Sequence, residues 1–126
     1  MALDKTTTLI LDSVTVAGST DSAASSYVDL STAVDFCIGY TMTFGSGATL
    51  GARIDLFADP AGATPDFTIG TYDDPVDSGD IAADASHTVK GTIQLNRSPK
   101  YVKARVHNLD SSSITLCSLY STPQTP

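Results

Sequence analysis

The stretch Phe36-Cys37-Ile38-Gly39-Tyr40-Thr41-Met42-Thr43-Phe44 decides the fold. Its five even positions are large and apolar. Its odd positions are small or hydroxylated. A period of two places Phe36, Ile38, Tyr40, Met42 and Phe44 on one side of an extended chain, facing a core. The same alternation recurs downstream. After a Gly45-Ser46-Gly47 turn, Ala52, Ile54, Leu56 and Ala58 point inward, with Arg53 and Asp55 outward. Val89, Ile93 and Leu95 point inward on the next clear strand. Val102, Ala104 and Val106 do so on the one after it. Ile114 and Leu116 mark a last strand ending near Tyr120. Upstream, Leu9 and Leu11 differ in parity from Val14 and Val16, which predicts a bulge near Asp12 and Ser13. Shorter strands are expected at 27–30 and 67–69, and 76–85 reads as irregular.

Composition points the same way. The chain has 126 residues and 14 acidic side chains, every one an aspartate. Glutamate favours helix, whereas aspartate bonds nearby backbone and favours caps and turns. A quarter of the residues are serine or threonine. The expectation is an all-β, jelly-roll-like β-sandwich of about eight antiparallel strands. The sandwich should span 9–121, with an N-terminal arm over 1–8 and a tail over 122–126. In a jelly roll the 36–44 strand lies beside the last one. Cys37 and Cys117 then have the same parity, and they are candidates to face each other across one sheet.

Charge and hydropathy limit the partners. A formal net charge of −7 repels phosphate backbones, so no direct nucleic-acid partner is expected. No stretch approaches the roughly 18 consecutive apolar residues of a membrane span. The first twelve residues carry one lysine and a short apolar patch, which is not a secretory signal. The chain is therefore expected to be made and used without export by that route.

The sequence carries no catalytic signature. Asp73, Asp74, Asp77, Asp80 and Asp84 are close together, but their spacing is not that of an EF-hand, and turn-forming carboxylates are expected. His87 and His107 lie on different strands, with no second ligand at zinc spacing. No serine nucleophile sits in a G-x-S-x-G elbow. Neither a cofactor nor a metal is expected. The basic residues are more informative: Arg97, Lys100, Lys103 and Arg105 are four of the seven. Lys103 and Arg105 share an outward face with Tyr101 and His107. Such a stripe suits an acidic partner surface or simply protects a strand face from edge pairing.

Three stretches carry a resemblance. They are Ser26-Tyr27-Val28-Asp29-Leu30-Ser31 with the long strand after it, Leu56-Phe57-Ala58-Asp59-Pro60, and Pro99-Lys100-Tyr101-Val102-Lys103-Ala104-Arg105-Val106. In this order, over about 26–120, the chain resembles head decoration (cement) proteins and related small β-sandwich virion proteins of tailed bacteriophages. That resemblance implies a non-enzymatic, structural role. The protein would bind and stabilise the head shell as a homo-oligomer, with the major capsid protein or other virion subunits as partners. It would be made in the host cytoplasm and located in the virion. Partner contacts are expected around Leu3 and Leu9 at the N-terminal end, with the two termini acting as clasps. Tyr101, Lys103 and Arg105 on the basic stripe are the other candidates. The alternative is a carbohydrate-binding β-sandwich module on a tail or fibre, with tyrosines as the stacking face.

Overall fold

The alternating stretches form strands, and a computed structural model describes residues 3–126. In chain order the strands are β1 (Asp4–Lys5), β2 (Thr8–Val16), β3 (Val28–Asp29), β4 (Asp35–Phe44), β5 (Ala52–Ala58), β6 (Asp77–Ile81), β7 (Thr88–Gln94), β8 (Tyr101–Asn108) and β9 (Ile114–Thr125). One sheet runs β2-β9-β4-β7, with β1 extending the β2 side of β9. The other runs β3-β8-β5-β6. Nearly every connection crosses from one sheet to the other, in the order of a jelly roll. The chain is thus an all-β, jelly-roll-like sandwich, and β4 lies beside β9 as expected.

The inner faces meet in one core. Phe36, Ile38, Met42 and Phe44 of β4 join Ile114, Cys117 and Leu119 of β9. Opposite them lie Ile54 and Leu56 of β5 and Val102, Ala104 and Val106 of β8. Each large aliphatic or aromatic side chain buried this way stabilises by about 1.5–3 kcal/mol. Tyr40 is half-buried, and its ring crosses its β7 partner Gly91. A Cβ at Gly91 would come within 2.5 Å of the Tyr40 hydroxyl, so only glycine fits.

Several expectations need correction. No strand forms over 67–69. Phe67 is instead buried in the long β5–β6 loop. The strand lies at Asp77–Ile81, within the stretch read as irregular. Its polar residues are poor strand formers, but five backbone partners on β5 hold them. Gly79 also leaves room for Ile93 of the other sheet. The bulge in β2 falls where the parity change placed it, between Leu11 and Val14, with Ser13 at φ 47°. A second bulge, on β9, leaves no comparable mark in the sequence. Leu116 has φ 50° and is 62% exposed, and Cys117 takes the inward place. Leu116 is therefore not a core residue, and the cysteines do not face each other. Cys37 sits opposite Thr122 and Gln94, whereas Cys117 sits opposite Val14. Within the segments read as arm and tail, β1 pairs with the end of β9: Asp4 faces Thr125, and Lys5 faces Gln124; positions 1–2 of the arm lie outside the described residues.

One end of the sandwich is tied by buried polar groups. The Asn108 carboxamide is fully buried. Its Nδ2 donates to the carbonyls of Val16, Ala17 and Ser112, at 3.2, 3.3 and 2.8 Å. Its Oδ1 accepts the Asp110 N–H at 3.0 Å. The Asp110 carboxylate in turn accepts the N–H groups of Thr49, Leu50 and Gly51 at 2.8, 2.8 and 2.9 Å. Burial works against the Asp110 charge, but these amide bonds outweigh it and lower its pKa. A lowered folded pKa stabilises above the ordinary value of 3.8, and that stabilisation is lost as the pH falls below it. Asp110→Asn sets an NH2 donor against a donating amide and should cost about 1–3 kcal/mol at pH 7. In urea titrations the gap between wild type and Asp110→Asn should narrow below pH 3.8. An unchanged gap would remove the charge from the account.

The two thiols should differ in reactivity. Burial pushes Cys117 up to about 11, while Cys37 is partly exposed. The thiolate is the reactive form. A maleimide should therefore modify only Cys37 in the native protein, with Cys117 reacting on unfolding, as read by intact mass. Rapid double labelling of the native protein would contradict the inward turn at Cys117.

Candidate interaction surface

The sandwich presents two outer faces, and the candidate residues are divided between them. Tyr101, Lys103, Arg105 and His107 project together from β8, over the outside of the β5 sheet. Leu9 belongs to the opposite sheet and Leu3 precedes β1 of that sheet; they are 43% and 47% exposed. The structure therefore does not gather them into one site.

The basic stripe is largely satisfied within the chain. Lys103 Nζ lies 2.7 Å from Asp66 and 5.6 Å from the Phe67 ring centre. The Arg105 guanidinium lies 4.7 Å from the Phe57 ring centre and 3.6 Å from Asp21. His107 Nδ1 is 2.8 Å from the same aspartate. Tyr101 meets Tyr27 edge-on, with ring centres 6.3 Å apart. On the neighbouring strand Arg53 pairs with the buried Asp55 at 2.7 Å, and Ser78 donates to that carboxylate at 2.8 Å. Phe57 faces outward from β5 yet is buried beneath this layer. The β5–β6 loop thus closes this face, with Asp66 and Phe67 as its fasteners.

The outside of the β4 sheet is open. Its cross-strand rows read Thr122-Cys37-Gln94, then Leu9-Tyr120-Gly39-Thr92, then Thr41-Lys90. Thr7 joins Thr122 at 2.9 Å, and Thr43 joins Thr88 at 2.7 Å. No aspartate stands in these central rows, and Lys90 is their one charge; the adjoining row of the same face, Lys5-Gln124-Asp35, holds one charge of each sign, and Asp35 accepts from the Gln94 side chain at 2.6 Å. A shallow groove of about 450 Å³ runs over Gly39 and Gly91, bordered by Thr7, Lys90, Thr92, Tyr120 and Thr122. A Cβ at Gly39 would make only ordinary contacts, the nearest at 3.6 Å. Its missing side chain opens the groove without being required by packing. The sequence signal was a glycine in the middle of the strongest strand, and the sequence reading passed over it.

Of the aspartates of the 70–84 region, Asp73 and Asp84 hold turns, whereas Asp77 and Asp80 lie on β6. Asp73 accepts the Gly70 N–H at 2.6 Å. Asp77 accepts the Ser78 and Asn96 N–H groups at 2.9 and 2.8 Å. Asp84 bonds His87 Nδ1 at 2.9 Å. Among the described residues no three His, Cys, Asp or Glu side chains come together as a metal site.

No protein-family model matches the chain, and no curated protein is significantly similar to it. The fold is shared with solved structures. The chain is similar to part of dimeric latent PorU from Porphyromonas gingivalis (TM-score 0.54, 6% identity), covering 99% of this chain and 13% of that one. It is also similar to a chain of infectious bursal disease virus, Gx strain (TM-score 0.52, 16% identity), covering 98% and 32%. This chain thus spans a third or less of either. Identities this low establish a common sandwich and nothing about activity.

The fastening of the closed face is testable. Lys103→Ala removes the group that joins Asp66 and Phe67 to β8. Asp66 is well exposed, so global stability should change little. Hydrogen exchange should instead rise selectively in peptides covering 59–73. Exchange that stays at wild-type rates there would show that the loop is held by other contacts.

Proposed function

We propose that the chain is a structural subunit of a virion, attached through the outer face of its β4 sheet. In its finer form, the reading is a decoration subunit on the head shell of a tailed phage. Its partner there is the major capsid protein or a neighbouring virion subunit. The sparse charge of this face carries the proposal. With 14 aspartates in the chain, an open face with none in its central rows is a departure from the rest of the surface. Protein interfaces are depleted in Asp and enriched in Tyr, and Leu9 and Tyr120 stand side by side here. The jelly-roll order supports the reading by analogy, since a chain of a virus shares the fold. The phage resemblance over 26–120 supports it too. The clasp idea takes a new form: β1 and the end of β9 order each other and make a rim to the face.

A glycan-binding module is the second reading. Tyr120 beside the glycine-floored groove, with threonine hydroxyls around it, is the observation in its favour. A glycan array would detect it.

Particles of the source phage, purified on a density gradient, should contain the chain in many copies by mass spectrometry. Recombinant protein should rebind particles stripped of it. Leu9→Asp should weaken rebinding at least tenfold, and deletion of 1–7 should weaken it while leaving a β-rich circular dichroism spectrum. Particles that contain none of the chain and bind none of it would end the decoration reading.

A further inference from the structure

We infer that the groove over Gly39 receives Tyr72 from a second copy of the same chain, so that sandwiches associate head to tail. The inference rests on the reading of the outer β4-sheet face as an interface, and it names one occupant.

Three observations select that occupant. Tyr72 is 95% exposed, more than any other large apolar or aromatic side chain among the described residues. It is presented by a fixed turn: the Asp73 carboxylate accepts the Gly70 N–H at 2.6 Å, and the Asp73 N–H donates to the Gly70 carbonyl at 3.2 Å. An aromatic side chain held out by a bonded turn loses little freedom on docking, which is how interface anchors gain affinity.

The second observation is charge. Asp74 adjoins the anchor and makes no hydrogen bond or ion pair among the described residues. Lys90 borders the groove and likewise has no acidic partner within 4.0 Å there. The free charges of loop and groove are therefore opposite in sign. The rest of the groove is uncharged, so nothing in it repels an acidic loop.

The third observation is placement. The loop that bears Tyr72 packs on the outside of the β5 sheet through Phe67 and Lys103. The groove lies on the outside of the β4 sheet. Anchor and groove belong to opposite faces, so they meet only between copies. A contact between two different patches is heterologous, and it builds rings or open stacks rather than closed pairs. One tyrosine and one exposed ion pair make a small contact that is weak in free solution. Repetition along an array strengthens it by avidity.

Sedimentation velocity of the isolated chain, from about 10 μM to about 1 mM, tests this across the range in which so small a contact associates. Wild type should show concentration-dependent association that weakens as salt is raised, because the ion pair is exposed. Tyr72→Ala should weaken association at least tenfold. Gly39→Val should do the same by filling the groove, with thermal unfolding confirming that the strand accepts the side chain. Lys90→Asp and Asp74→Lys should each weaken association, and the double variant should recover most of it. A chain that stays monomeric throughout this range overturns the inference, and finding the chain on particles would then leave the virion reading standing. Association lost in Gly39→Val but unchanged in Tyr72→Ala also overturns it, because the face is then an interface for another occupant. Failure of the double variant to recover removes the Lys90–Asp74 pairing on which the choice of occupant depends.

Discussion

The jelly roll depends on what happens to the chain where β8 ends. At that point one fully buried carboxamide, Asn108, joins three backbone segments that belong to different parts of the sequence. It holds the end of β2, the turn into β9 and, through the Asp110 N–H, the start of that turn. Its own N–H donates to the Thr20 carbonyl at 2.9 Å, fixing where the chain leaves β2. Asp110 then anchors the β4–β5 connection by three amides. A buried polar group without partners is costly, whereas a satisfied network specifies one arrangement. An apolar residue at 108 would remove the side-chain donor from the Val16 and Ser112 carbonyls, while that of Ala17 would keep Thr20. The two sheets could still stack, but nothing would set how the crossovers at this end run.

The same logic extends along the free edge of β8. Val106 donates to Ser22 Oγ and Ala104 to Ser25 Oγ, each at 2.9 Å. The Ser22 and Ser25 N–H groups return to the Val106 and Ala104 carbonyls at 2.8 Å. A segment without regular strand geometry thus satisfies the edge of β8 by lending side-chain oxygens. That removes a row of groups that could template aggregation. It also explains why a serine-rich loop, polar by composition, has members as buried as Ser25.

How much of this the sequence disclosed follows from which interactions leave a period. Burial on one face of a strand repeats every second residue, so Phe36 to Phe44 and Val102 to Val106 were legible, and with them the class and the pairing of β4 with β9. The β2 bulge was legible because it shifts that period between Leu11 and Val14. The β9 bulge was not, because Ile114 and Leu116 keep the period while the backbone breaks it at φ 50°. Asp77–Ile81 was not legible, since its pairing comes from β5 and not from its own propensities. Asn108 and Asp110 looked like ordinary turn residues, because hydrogen bonding to distant carbonyls and amides has no linear signature. The surface divided in the same way. Lys103 and Arg105 were correctly placed outward together, but Asp66 and Asp21, their acidic partners, are 37 and 84 positions away in sequence.

That division gives the two faces different physics. On the β5 sheet, cations, aromatics and aspartates are paired within the chain, so a partner there would have to displace existing contacts before gaining new ones. On the β4 sheet, apart from Leu9, Tyr120, Gln94 and Lys90, the outward side chains of the central rows are short, hydroxylated or absent, and few contacts need to be broken. Covering such a face costs little desolvation, because threonine hydroxyls already joined in pairs carry fewer free hydrogen-bonding groups into the interface. The net charge acts against association at long range, but over distances beyond about 10 Å it is screened at 0.1 M salt. What remains at contact is local, and the central rows of the open face carry no aspartate; Asp35 stands at their margin, bonded to Gln94. A net charge of −7 opposes non-specific association of free chains. The outer face of the β4 sheet is the one on which charge opposes close approach least.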